Sequence, residues 1–568
     1  MNKLHLKKGG DNMASLIGID VGGTFTDAVM ITNGVIERKG KIPTNQDDIL
    51  NTLISALDYL QISKAKNIET ITVSTTLVTN AILQKRLPEV ELILFPGTGM
   101  KLSSLPWPVD YSVLTGVLDY RGRVVVPADQ SEWQTLAEKL NQQSVKPLTA
   151  IVSKFSHRNN VFEEQLAAYL HRDVPGVTTA LGSQSGKANF YRRSLTTYLN
   201  LAATELFQNF AYQLKMAVEA RGCRAPIRVL KADGGVLPLA KIRPVESIYS
   251  GPAASVLGTL AQSNPEESYV VVDIGGTTTD IGLVLSGSPL ISTHGAQIGP
   301  FLTNVRSLAV RSVSIGGDSA VCLDQGEVML ANYRLGPAYC IGGVSPTPTD
   351  ALRYLNLTDY GDLQRAEEAL GMLLPENQRT ASDLRRTAEI IVEKMVEKIA
   401  RAIEQLLEEW KTEPAYKVWE VIHHHDDFKF YIQLSGGGAP GLEAALENRM
   451  KLRTVLTEFS EVSNAIGAAM AKSTFSWTLH LDTKFSIYRI EETGEQGIWS
   501  GPKKPHREVE DFLKELAQTQ AIGLGIETDD LEKEIFDYFP LVENYHTVGQ
   551  IVKGAMHVPP GVIGRIRS

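Results

Sequence analysis

Two aspartates, Asp20 and Asp273, head the same short phrase. Residues 16–31 read LIGIDVGGTFTDAVMI and residues 269–284 read YVVVDIGGTTTDIGLV, so each copy holds D-x-G-G-T-x-T-D. An apolar β-branched run, an acid, glycines with threonines and a second apolar run spell a strand, a tight turn and a returning strand. Glycines at Gly22, Gly23, Gly275 and Gly276 let a backbone turn lie close to a phosphate. The hydroxyls of Thr24, Thr26, Thr277, Thr278 and Thr279, with the turn's N–H groups, are the candidate donors to it. Asp20 and Asp273 are the candidate catalytic residues, placed to hold Mg²⁺ directly or through water and to position a reacting group. Turn chemistry alone has no need to preserve both hydroxyls and both acids. A second copy at domain-sized separation therefore points to a duplicated fold gripping a polyphosphate from both sides. Asp27 and Asp280, which close each copy, read as turn caps through side-chain hydrogen bonds.

A third glycine cluster supports the same ligand. FKFYIQLSGGGAP (428–440) is a strand ending in Gly436, Gly437 and Gly438 and followed by a helix, GLEAALENRM. A turn without side chains can lie flat against an adenosine. Other polar positions carry two readings each. Thr75, Thr76 and Asn80 either face the cleft or cap a helix, and Asp233 either orients a substrate or closes a strand-end turn before Gly234 and Gly235. The run His423-His424-His425-Asp426-Asp427 reads as a solvated loop rather than a metal cluster, because adjacent side chains diverge. Cys322 and Cys340 read as buried small residues, with no activating base in sight.

Elements able to position these groups alternate along the chain. Asp47 to Leu60 has helical spacing behind Asn45 and Asp47 as caps, while ETITVSTTLVTN (69–80), ELILF (91–95) and AIVSKF (150–155) read as strands. A long helical region spans about 187–221, IRVLKAD (227–233) is a strand, and SGPAAS (250–255) opens a small-residue helix. Residues 383–410 carry Ile391, Met395, Ile399, Ile403, Leu406 and Trp410 on one face, a packing stripe too short in heptads for a coiled coil. From Ser476 the pattern changes to period two, followed by an amphipathic stretch at 508–518. The expected organisation is a leader at 1–13, a first lobe at 14–200, a second lobe at 201–475 and a small α+β domain at 476–568.

Composition bounds the function classes. At 568 residues the chain has room for roughly three to five domains. Hydrophobic residues make up 43% and charged residues 21%, as in an ordinary globular protein. A net charge of −9 argues against a general binder of nucleic acid or anionic membrane. No apolar run reaches membrane-span length, and the first twelve residues lack the apolar core of a signal peptide. Three cysteines without a C-x-x-C support neither a zinc ribbon nor a disulfide framework, so the cytoplasm is the expected compartment.

The ordered set IGIDVGGTFTDAV (17–29), TTLVTNAIL (75–83), DGGV (233–236), SGPAAS, VVDIGGTTTDIGLV (271–284), SIGGDS (314–319), GPAYCIGG (336–343), PTPTDA (346–351) and SGGGAP (435–440) resembles the hydantoinase A/5-oxoprolinase family of the actin-like ATPase superfamily. The resemblance covers about 15–475. It implies an α/β fold of two duplicated actin-like (ribonuclease H-like) domains around a nucleotide cleft, with ATP and Mg²⁺ as cofactors. It also implies ATP-dependent phosphorylation of a cyclic amide (a hydantoin, lactam or 5-oxoproline) or a related carbonyl, activating it for hydrolysis or carboxylation. A hydantoinase B-like partner subunit is implied for the second half of that reaction; self-association is left open. The glycine turn here continues Ala439-Pro440-Gly441-Leu442 without the family's histidine, and the family's N-P-x-H-E segment reads NNVFEE (159–164), so the resemblance carries the nucleotide and leaves the substrate open. Two alternatives stand beside it. One is an ATP-driven conformational switch acting on a partner; scattered cysteines argue against the version carrying an iron–sulfur cluster. The other is a small-molecule kinase.

Overall fold

The computed structural model describes residues 14–567 except 46, 66, 144, 146, 413–428, 527, 529 and 535. The leader at 1–13 and the HHHDD run therefore lie outside the described residues.

Two mixed sheets repeat one topology. In the first, Ser15–Val21, Phe25–Thr32 and Val35–Pro43 form an antiparallel meander, and Ile68–Thr75 then Ile227–Leu230 add in parallel beside the opening strand. In the second, Ser268–Ile274, Thr279–Leu285 and Ser288–Pro289 make the meander, and Phe430–Ser435 then Thr454–Leu456 add in parallel. Strands such as LIGID and YVVVD are buried on both faces, which is why they read as continuous apolar runs rather than alternating ones. The fold is thus the expected α/β duplication, with each D-x-G-G-T turn at the end of its sheet's central strand.

The first sheet collects strands from beyond the expected lobe limit at residue 200. Helix Phe190–Ala220 crosses that limit unbroken and delivers Ile227–Leu230 and Val236–Pro238 into the first sheet. A parallel strand needs a long crossover, and this helix supplies it. Between Ile68–Thr75 and that helix the chain inserts a four-stranded sheet, ordered Thr178–Leu181, Leu148–Ser153, Glu91–Phe95, Tyr111–Val113. Near the start, helix Ile49–Tyr59 is capped by Asp48, which accepts from Asn51 N–H at 3.0 Å, instead of by Asn45 or Asp47.

Helix Ala381–Thr412 buries Ile391, Met395, Ile399 and Ile403 in the second lobe's core, as its stripe predicts. Residues after 475 form an antiparallel sheet with helix Arg507–Gly523 against it. Its core is not separate: Trp477, Leu479, Val509 and Leu513 belong to the same apolar cluster as Ile17, Leu53 and Leu214 of the first lobe. Period-two alternation identifies a sheet with one wet face but does not say which body covers the dry one. Among the described residues no helix is long and apolar enough to cross a membrane.

Two helices join the lobes. Ser250–Gln262, opened by SGPAAS, and Ser463–Met470 cross so closely that Gly258 and Gly467 touch the opposing backbone. The Ser463–Met470 helix also packs on strand Ser15–Val21, where a Cβ on Gly18 would overlap the Ala465 carbonyl.

Candidate functional site

Both repeats deliver their first aspartate to one point. Asn464, in the first turn of helix Ser463–Met470, donates its side-chain amide to Asp20 Oδ2 at 3.3 Å and to Asp273 Oδ2 at 3.2 Å. Asp20 and Asp273 are both buried, and Asp20 Oδ1 has no hydrogen-bond partner. The start of helix Ser250–Gln262 abuts Asp20, with Gly251 placed so that a Cβ would lie 4.0 Å from its Oδ1. Ser250 ties that start to the first sheet: its Oγ accepts from Thr75 N–H at 3.1 Å and lies 3.1 Å from Ser74 Oγ.

Glycine turns close over these acids. Gly22 N–H donates to Phe25 C=O at 3.1 Å and Gly275 N–H to Thr278 C=O at 2.9 Å, so the two tips share one turn geometry. A strap at 314–319, SIGGDS, is bound to the second tip: Gly317 N–H donates to Gly275 C=O at 2.9 Å and Asp318 N–H to Gly276 C=O at 2.8 Å. The tips face each other, since a Cβ on Gly276 would stand 3.1 Å from Thr24 Oγ1. Gly436 has φ +90°, a left-handed conformation, and a Cβ there would overlap Asp273 Oδ1. Glycine at 436 is therefore required by close approach to the acid as well as by backbone conformation. Gly438 N–H donates to Ile274 C=O at 2.8 Å, while nothing lies within 4 Å of a Cβ built on Gly437. This third glycine turn is thus fastened at Gly436 and Gly438, with open space at Gly437 between them.

Several sequence expectations change here. Thr26 and Thr279 are fully buried: Thr26 Oγ1 bonds Thr44 Oγ1 at 2.9 Å and Thr279 Oγ1 donates to Ile315 C=O at 2.7 Å. These two hydroxyls brace neighbouring segments and are not aimed at a ligand, which leaves Thr24, Thr277 and Thr278 as the tip hydroxyls. Asp27 and Asp280 do not cap turns. Their strands pair them across the ladder with Asp20 and Asp273, and this register assembles four carboxylates at the hairpin bases. Thr75 Oγ1 accepts from Leu77 N–H at 3.2 Å and Asn80 Nδ2 donates to Thr76 Oγ1 at 3.3 Å, so these side chains bond one another around the start of helix Leu77–Leu83, whose N-cap residue Thr76 makes no side-chain capping hydrogen bond. Asp233 closes its turn by accepting from Gly235 N–H at 3.0 Å, and also pairs with Lys231 and Thr474. Cys340 is buried as expected, but Cys322 is exposed on hairpin Val321–Leu330.

The residues that sequence reading missed supply the cleft's contacts. Asn464 had no local motif to mark it. Lys41 Nζ sits 2.5 Å from Asp27 Oδ1, placed by the third strand of the meander. Arg334 reaches from the second lobe to Thr24 and Gly23.

Burial and mutual repulsion hold these acids above the ordinary carboxylate range. Asp20 is raised chiefly by burial; Asp273 is pushed up to about 6 by burial with Asp20 beside it, and Asp280 to about 7 by burial with Asp273 beside it. Burial also lifts Asp27 to about 7 despite Lys41. Unfolding returns each carboxyl to about 4, so between about pH 4 and 7 the folded chain holds protons that the unfolded chain has released. Stability must then fall as pH rises through that window. We expect the melting temperature of metal-free protein to drop between pH 5.5 and 7.5 with a steeper slope than in Asp280→Asn. Equal slopes by scanning fluorimetry would show that Asp280 ionises normally.

Among the described residues no three or more His, Cys, Asp or Glu side chains gather as a metal cage. Paired carboxylates with an unpartnered oxygen suit instead a cation such as Mg²⁺, which keeps several waters and takes its remaining ligands from phosphates.

Residues 193–476 match the hydantoinase/oxoprolinase family and residues 16–174 match the hydantoinase/oxoprolinase N-terminal region. The acetophenone carboxylase gamma subunit of Aromatoleum aromaticum is 26% identical over 61% of this chain and 54% of its own length. The caprolactamase subunit alpha of Pseudomonas jessenii is 26% identical over 65% of this chain and 58% of its own length. The chain thus spans little more than half of these two curated relatives. In fold, a nucleotide-free acetone carboxylase structure superposes with a TM-score of 0.72 at 16% identity, covering 98% of this chain and 89% of that one.

Proposed function

The chain belongs to the hydantoinase/oxoprolinase family, and from that premise we propose that it uses Mg·ATP to phosphorylate the oxygen of a cyclic amide or related carbonyl. The observation that carries this reading is the convergence of Asp20 and Asp273, one from each repeat, on the amide of Asn464. Asp20 and Asp273 would hold Mg²⁺ through carboxylate oxygens or bound water. Asn464 sets the spacing between them. Gly22, Gly23 and Thr24 of one turn and Gly275, Gly276, Thr277 and Thr278 of the other would hold the phosphates, and Gly436, Gly437 and Gly438 would take the adenosine. When bound, Mg²⁺ supplies charge neutralisation at the phosphates. An amide oxygen is a poor leaving group, and its phosphoryl ester is a good one; positioning the two reactants accounts for much of the acceleration.

The second half of such a reaction, attack by water on the activated carbon with release of phosphate, or attack of the enol carbon on carbon dioxide or activated bicarbonate, calls for further groups. Among the described residues the cleft offers acids, hydroxyls, Lys41 and Arg334 but no paired nucleophile and base. We therefore assign that half to a hydantoinase B-like partner. Names of relatives as a gamma subunit and an alpha subunit support multi-subunit operation. ATP hydrolysis measured against hydantoins, lactams, 5-oxoproline and ketones, with and without the partner, tests the reading. Substrate-stimulated ADP release, with ring opening or carboxylation only when the partner is present, is expected. ATP turnover indifferent to every candidate would favour a conformational switch, and complete ring opening by the isolated chain would remove the partner from the scheme.

A further inference from the structure

We propose that Arg334 binds the terminal phosphate of the nucleoside triphosphate and so reports its presence to both lobes; this rests on the phosphate-site reading above. Arg334 belongs to the second lobe, in the loop between hairpin Val321–Leu330 and GPAYCIGG. Its guanidinium nevertheless lies on the first lobe's turn, donating to Thr24 Oγ1 through Nη1 and to Gly23 C=O through Nη2 at 3.3 Å. On its other side Asp318 Oδ2 stands 3.8 Å from Nη1, too far for a hydrogen bond, and Asp318 is itself fastened to the second turn by its backbone. The guanidinium thus touches the first turn while ion-paired to a residue held on the second.

Charge balance gives the placement its meaning. Asp20, Asp27, Asp273, Asp280 and Asp318 crowd the cleft, and a polyphosphate brings several more negative charges. Lys41 is committed to Asp27 at 2.5 Å, whereas Arg334 has a looser ion pair and remains half-buried at the gap between the turns. A planar guanidinium offers five donors in a fork that matches phosphate oxygens, and donors to a charged group form the stronger class of hydrogen bond. A terminal phosphate bound at the two turns would be the anion within its reach. A diphosphate, lacking that group, would leave Arg334 on Thr24 and Gly23. Preference for the triphosphate and communication between the lobes then share one residue.

Titration calorimetry with Mg²⁺ and either ADP or a non-hydrolysable ATP analogue separates the possibilities. Arg334→Gln is expected to weaken the triphosphate analogue about 10- to 100-fold, the scale of a lost charged hydrogen bond, while ADP affinity changes less than about 3-fold on the same scale of tenfold per 1.4 kcal/mol. Arg334→Lys keeps the charge without the fork and should fall between; its melting temperature, with that of Arg334→Gln, checks the fold. Equal loss for both nucleotides, or no loss for either, with wild-type binding intact, overturns the role of Arg334 alone. Failure of the wild type to bind either nucleotide overturns the phosphate site and this assignment with it.

Discussion

Asp273→Asn is expected to lower ATP turnover by about 10²–10³-fold or more, the range for removing a preorganised electrostatic group at a reacting centre, while leaving the protein folded. The exchange replaces one carboxylate oxygen by an amide of the same size. Gly436 lies directly over Oδ1 and Asn464 holds Oδ2, so the new side chain has nowhere else to go. What disappears is the negative charge that would direct Mg²⁺. Stability should hold or rise, because Asp273 ionises against Asp20 and Asp280 in a buried cluster. Unaltered turnover, or a collapse of the melting temperature that accounts for lost activity, would remove Asp273 from the site. The same change at Asp20 ought to behave alike, as the pseudo-symmetry of the two repeats requires.

Gly467→Val should have the largest effect on folding, a destabilisation of about 3 kcal/mol or more, at the upper end of overpacking. A Cβ at 467 would overlap the Ala254 carbonyl and lie 2.6 Å from Gly258 N, and one at Gly258 would overlap the Ser463 carbonyl. These neighbours are helix backbone rather than flexible side-chain ends, so relief requires the helices to separate. Separation would also withdraw Asn464, which sits one turn earlier on the same helix, from Asp20 and Asp273. Denaturant unfolding of Gly467→Val beside Gly437→Ala, where a Cβ meets nothing within 4 Å, tests this. Similar midpoints for the two variants would mean that the helix crossing adapts and that the lobe junction is soft.

Local residue patterns were enough to locate the individual pieces: two strand–turn–strand units, a third glycine turn, apolar runs of buried strands and the stripe of helix Ala381–Thr412. Each depends on residues within one or two turns of one another, where backbone preference and hydrophobic period act directly. Resemblance then supplied the duplicated α/β fold and the nucleotide. Tertiary structure alone decided which polar groups meet. Strand register, not motif spelling, set Asp27 beside Asp20 and Asp280 beside Asp273, and burial turned Thr26 and Thr279 inward. Asn464 lies far along the chain from both acids it joins, and Arg334 comes from the lobe opposite the turn it touches. The sheet after residue 475 needed the first lobe's apolar surface to complete its core. Contacts of this kind arise from long-range packing, in which a side chain's role depends on the surface that arrives against it, and no local period in the chain encodes that surface.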